Sequence, residues 1–200
     1  MGPKETPSQT AGPYVHIGCT PNFSGISNVY AEDLGHRMIT GDVGGERITV
    51  TGTVYDGAGQ ALKDALIEIW QADANGLFHA PGETRGTPDP NFFGWGRAAS
   101  DMETGAYRFE TVKPGRVPAA DGALQAPHIS VWIVARGINV GLQTRLYFED
   151  EAEANAEDPL LARIEHRARV GTLLAKVEGV GRYRFDIHLQ GPDETVFLDI

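Results

Sequence analysis

From Arg47 onward the chain is a series of short apolar or alternating runs, each stopped by glycine, proline or Asp/Asn-rich residues before a long helix could form. Ile48, Val50 and Val54 alternate with Thr49, Thr51, Thr53 and Tyr55, and the run ends at Asp56-Gly57-Ala58-Gly59, a hairpin-type signal. Leu66-Ile67-Glu68-Ile69-Trp70-Gln71 is a second run, closed by Asp73-Ala74-Asn75-Gly76, whose residues tolerate left-handed backbone. Ala106 to Val112 alternates again, and Ile129 to Ala135 is almost continuously apolar, as expected of a strand covered on both faces. Thr144 to Phe148, Tyr183 to Gln190 and Thr195 to Leu198 bring the expected total to about seven or eight strands. With 25 Gly and 12 Pro in 200 residues, turns are favoured over long helices. The pattern predicts an all-β chain, an antiparallel β-sandwich of two sheets of mixed length. Short peripheral helices are expected only between Glu149 and Lys176, where Ala and Glu cluster and Leu160, Leu161 and Ile164 recur at helical spacing.

Residues 1–45 read differently. Pro3, Pro7, Pro13 and Pro21 interrupt a stretch with little periodicity, which predicts an extended N-terminal arm with one short helical turn near Ala31 to Leu34. The division is then an arm over 1–45 and one β domain over 46–200. Leu77 to Gly96 has no clear period and reads as a long loop, a kind of segment that usually carries function.

Seventeen basic against 27 acidic residues leave a net charge of −10, which repels phosphate backbones and anionic lipid headgroups. Nucleic acid and membrane are therefore poor partners. The apolar run Val131 to Ala135 is far below the roughly 20 residues that span a bilayer. The first residues carry no apolar leader, and Cys19, the single cysteine, has no intrachain disulfide partner. The expectation is a cytoplasmic protein.

Familiar catalytic motifs are missing. The six histidines show no HxH or HExxH spacing, and no GxSxG elbow, P-loop or GxGxxG follows a strand. His128-Ile129-Ser130 is one residue away from an HxH that would set two imidazoles on one face of a strand. Asp73, Asp89, Asp101 and Glu103 fall in turns, where solvated acids are expected. Arg136 stands out. It follows the buried run Val131 to Ala135 and precedes Gly137, so it is either a cation placed to hold an anion or a strand-end arginine paired with a surface acid.

Trp70 to Gly76, read together with Gly52 to Gly59, resembles the intradiol ring-cleavage dioxygenases, non-haem iron(III) enzymes that open catechols. Thr6 to Tyr14, Val112 to Gly115, Ala126 to Ile129, Ala135 to Ile138, Thr144 to Phe148 and Tyr183 to Ile187 extend the resemblance over nearly the whole chain. Catalytic members hold ferric iron with two tyrosines and two histidines, but the matching positions here are Phe78, Val117, His128 and Ser130, and Gln125 stands where the catalytic pattern has arginine. Phenylalanine and valine offer no ligand atom, so the resemblance implies no metal ligand and no catalytic residue in this chain.

The similarity is to the iron-free, alpha-type chains of two-chain family members. It implies a homologous beta chain that binds the Fe(III), with the pocket at the interface and a large symmetric hetero-oligomer. The implied reaction is cleavage of 3,4-dihydroxybenzoate by O2 to 3-carboxy-cis,cis-muconate. Carried over residue by residue, the substrate-binding share of this chain is Thr10, Gly12 and Pro13 from the arm, and Arg136. The arm is then the part that packs on the partner subunit. The alternative is a non-catalytic, transthyretin-like β-sandwich binding module.

Overall fold

The computed structural model describes residues 10–12 and 14–199, so Pro13 lies outside the described residues. A short helix α1 (Val15–Cys19) precedes strands β1 (Arg47–Tyr55), β2 (Leu66–Trp70), β3 (Trp95–Ala99), β4 (Ala106–Val112), β5 (His128–Val134) and β6 (Leu142–Phe148). Helices α2 (Ala152–Glu157) and α3 (Pro159–Arg163) and a 3-10 turn (Arg167–Leu173) lead into β7 (Leu174–Gly179), β8 (Arg182–Arg184) and β9 (Ile187–His188). No helix among these residues is long and apolar enough to cross a membrane.

Pairing follows one path, β3-β2-β5-β6-β7-β8-β1-β4, with β9 beside β1. The chain is mostly β, as expected, but the two separate antiparallel sheets are replaced by one mixed path. β6 runs parallel to β7, and β1 runs parallel to both β8 and β9. The physical reason lies in the segment between β6 and β7. Its helices form a crossover, and a crossover returns the next strand in the same direction. Residues of alternate parity fill the interior: Ile129, Val131 and Ile133 of β5 meet Val50 and Val54 of β1, Ile67 and Ile69 of β2, and Phe148. The even-numbered positions of β5, Ser130 and Trp132, are left facing outward.

Several elements depart from the sequence expectation. β3 emerges from the Gly/Pro-rich stretch expected to be loop, because Gly96 lets the strand pack over Met38, whose sulfur would lie 2.7 Å from a Cβ at that position. The run Tyr183 to Gln190 breaks in two at Asp186, whose carboxylate accepts from the Thr53 amide at 3.0 Å where a ladder bond would otherwise run. Thr195 to Leu198 forms no strand. Its backbone-to-backbone hydrogen bonds, Thr195 N–H to the His188 carbonyl and Leu198 N–H to the Gln143 carbonyl, go to different neighbours. The helical turn of the arm sits at α1 and not at Ala31 to Leu34, where Asp33 instead accepts from the Asn22 and Phe23 amides, both at 2.8 Å. Met38 and Val43 reach into the main core.

Two polar side chains of the Trp70 to Gly76 segment hold the domain together. Gln71 is buried; its amide donates to the Val112 carbonyl at 2.9 Å and its oxygen accepts from the Thr111 hydroxyl at 2.8 Å, joining β2 to the end of β4. Asp73, expected to be a solvated turn acid, is 2% exposed. Its carboxylate accepts from the amides of Asn75, Leu77 and Asp89, which sets the start of the long loop.

Candidate functional site

At the end of β5 the chain turns through Ala135-Arg136-Gly137. Ala135 is fully buried, and Gly137 adopts φ +93°, a left-handed conformation that glycine takes without strain. Arg136 between them is lifted into solvent with its side chain 65% exposed. Thr10 is brought to this turn from the far end of the sequence. Its hydroxyl accepts from the Gly137 amide at 2.9 Å and lies 3.3 Å from the Ala135 carbonyl, so it brackets Arg136 on both sides.

Two of the expected substrate-binding residues are therefore neighbours. Gly12 is exposed, and among the described residues a Cβ built on it meets nothing within 4 Å. Pro13 cannot be placed, being outside the described residues. Of the two readings of Arg136, the structure shows the pairing with an acid. Arg136 is raised at a strand end, and its Nε pairs with the Asp64 carboxylate at 3.2 Å. Asp64 was missed in the sequence. Its signal was the β2 to β5 register, in which Leu66 faces Val134, so that two further residues along each strand bring Asp64 to Arg136.

Of the positions that the resemblance matches to iron ligands, His128 and Ser130 lie in β5, Phe78 in the loop after β2 and Val117 in the segment after β4. Phe78 stacks on Trp70 at 5.9 Å, Val117 is buried, and Ser130 faces Trp70 on one side and Arg145 on the other. His128 is 8% exposed. Its Nδ1 lies 2.8 Å from the Ala126 carbonyl, so this nitrogen carries the hydrogen of the neutral ring. The Arg145 guanidinium, fixed by Gln125 Oε1 at 2.6 Å, stands beside it. Burial, and secondly the charge of Arg145, push the His128 pKa down to about 4. Tyr147, the nearest phenol, lies 3.3 Å from Asp158, and burial pushes its pKa well up.

This donor set does not fit ferric iron. One imidazole, one hydroxyl and a phenol that resists ionisation, next to a guanidinium, provide none of the anionic ligands that Fe(III) prefers. Among the described residues no group of three or more His, Cys, Asp or Glu side chains could hold a metal ion.

The family model described as Dioxygenase matches residues 19–191. The chain is 46% identical over 198 residues to the protocatechuate 3,4-dioxygenase alpha chain of Pseudomonas putida, covering 98% of this chain and 96% of that one. It is 36% identical over 183 residues to the protocatechuate 3,4-dioxygenase beta chain of Burkholderia cepacia, covering 82% of this chain and 77% of the relative. Among solved structures, the dioxygenase domain of a carbohydrate-binding fusion protein from Streptomyces sp. SirexAA-E matches with a TM-score of 0.55 and 25% identity, over 85% of this chain and 95% of that domain.

Proposed function

This chain belongs to the intradiol dioxygenase family, and from that premise we propose that it serves as the alpha-type chain of a two-chain protocatechuate 3,4-dioxygenase. The observation that carries the reading is the donor set: phenylalanine, valine and serine at the matched ligand positions, with Arg145 beside the one histidine. The iron then belongs to a homologous beta chain. The binding-module alternative leaves the whole-chain identity to alpha chains unexplained.

In the assembled enzyme the partner's ferric iron supplies the oxidative chemistry with O2. Both oxygen atoms enter 3,4-dihydroxybenzoate as the ring opens between its hydroxyl-bearing carbons, giving 3-carboxy-cis,cis-muconate. The work of this chain is recognition and exclusion of water. Arg136, raised on its turn, faces the substrate carboxylate as a fixed cation. Thr10, Gly12 and Pro13 form a wall of the pocket, with the arm over 1–45 laid on the partner and the β domain over 46–200 behind it. The exposed position of Gly12, with room for a neighbour among the described residues, supports this. Alpha and beta chains that share one fold suit a large symmetric assembly. The free thiol of Cys19 suits the cytoplasm.

The test is metal analysis with a visible spectrum on this chain alone and then with its beta-type partner, since tyrosinate-bound ferric iron is coloured. A colourless, iron-free chain whose pair is coloured and consumes O2 with protocatechuate is the expected result. Stoichiometric coloured iron in the chain alone overturns the reading.

A further inference from the structure

We infer that Asp64 is a positioning residue for the same site, one that aims the Arg136 guanidinium at the substrate carboxylate; this rests on the role proposed for Arg136. The pairing is built into the sheet. Leu66 faces Val134 in the β2 to β5 ladder, and continuing that register by two residues on each strand sets Asp64 opposite Arg136 on the outward face. Both backbones are held. Ala65, next to Asp64, accepts from the Ser100 amide at 2.8 Å, and the Arg136 turn is closed by Ile138 N–H to Ala135 carbonyl at 3.1 Å and bracketed by Thr10.

Exposure divides the work between the partners. The Asp64 side chain is only 16% exposed and the Arg136 side chain 65%, so the carboxylate is a fixed point at the base of a cation that reaches into solvent. The contact is made at Nε, 3.2 Å from Asp64 Oδ2. Among the described residues no hydrogen bond takes up the terminal nitrogens of Arg136, and these form the fork that matches a carboxylate. An arginine drawn toward a half-buried carboxylate by an ion pair has fewer rotamers to lose when its outer edge meets an anion.

Coulomb's law and positioning give opposite signs here. Asp64→Asn removes a negative charge from the neighbourhood of an anionic substrate, so by charge alone the substrate binds more tightly. If Asp64 aims Arg136, the same substitution weakens binding. The experiment is steady-state kinetics of the assembled two-chain enzyme carrying Asp64→Asn, Asp64→Glu, Arg136→Ala, and the double variant Asp64→Asn with Arg136→Ala.

We expect Asp64→Asn to raise KM for 3,4-dihydroxybenzoate about two- to five-fold, in the range of one partly exposed ion pair, with kcat and iron content unchanged. Asp64→Glu recovers part of the loss, and turnover of catechol, which lacks the carboxylate, is unaffected. In the Arg136→Ala background Asp64→Asn has no further effect. An unchanged or lowered KM for Asp64→Asn, with Arg136→Ala still impaired, overturns the positioning role and leaves the assignment of Arg136 standing. Normal kinetics for Arg136→Ala remove both. Equal losses with catechol and with the carboxylate substrate mark a general folding defect and also overturn it.

Discussion

The Thr10 hydroxyl accepts a hydrogen bond from the Gly137 amide at 2.9 Å across 127 positions of sequence, tying the N-terminal arm to the turn that carries Arg136. Two segments that share no local pattern become one structural unit through this contact. Thr10 is thereby held beside the Arg136 cation.

Thr10→Val keeps the shape of the side chain and removes both of its bonds to the turn. The shorter of the two, from the Gly137 amide, contributes about 1 kcal/mol. In the assembled enzyme kcat/KM for protocatechuate should fall about five-fold, Thr10→Ser should recover most of it, and amide exchange at Gly137 should quicken in the valine variant. Unchanged exchange would show that the latch is not made in solution.

Arg136→Ala deletes the cation itself. A charge-assisted contact is worth about 1.5–3 kcal/mol, so KM for 3,4-dihydroxybenzoate should rise at least about ten-fold with iron content intact. Catechol turnover should change little. Kinetics with both substrates, alongside metal analysis, check this.

His128 is buried neutral with its pKa pushed down to about 4 from an ordinary 6.5. The unfolded chain therefore binds a proton more readily than the folded one, and this contribution to stability is complete above pH 6.5 and lost as pH falls toward 4. The full span is about 3 kcal/mol. Denaturant melts of the chain from pH 7 to pH 4 should show a loss of stability that His128→Gln reduces. Equal pH slopes for the two proteins would exclude His128 as the source.

Gln71→Leu leaves the Thr111 hydroxyl and the Val112 carbonyl buried without their partner. Orphaned buried groups cost about 1–3 kcal/mol each, so the denaturant midpoint should drop clearly. Iron content of the assembled enzyme should not change, because Gln71 joins β2 to β4 inside this chain and touches no ligand position. A chain as stable as the parent would mean that water replaces the amide.

What was readable from sequence follows from what is local. The alternation of Ile48, Val50 and Val54 and the apolar run Ile129 to Ala135 marked β1 and β5 because side-chain parity is a property of each strand by itself. Phe78 and Val117 could be read as offering no ligand atom, because that is a property of the side chain in any fold. β3 and β7 were not readable: the first hides behind Gly96, and the second follows a helical stretch and pairs only through a crossover. Asp73 looked like a surface acid, and only the loop that closes over it made it a buried acceptor for three amides.

The amino-acid sequence by itself determined that this is a turn-rich β chain with a cation at the end of a buried strand, since both depend on residue type and short-range spacing. Tertiary structure decided that Thr10 brackets Arg136, that Asp64 pairs with its guanidinium, and that the charge of Arg145 acts on His128. Those contacts join residues tens to more than a hundred positions apart, and only the pairing register and the path of the chain through space determine which of many possible partners a charged or polar group meets.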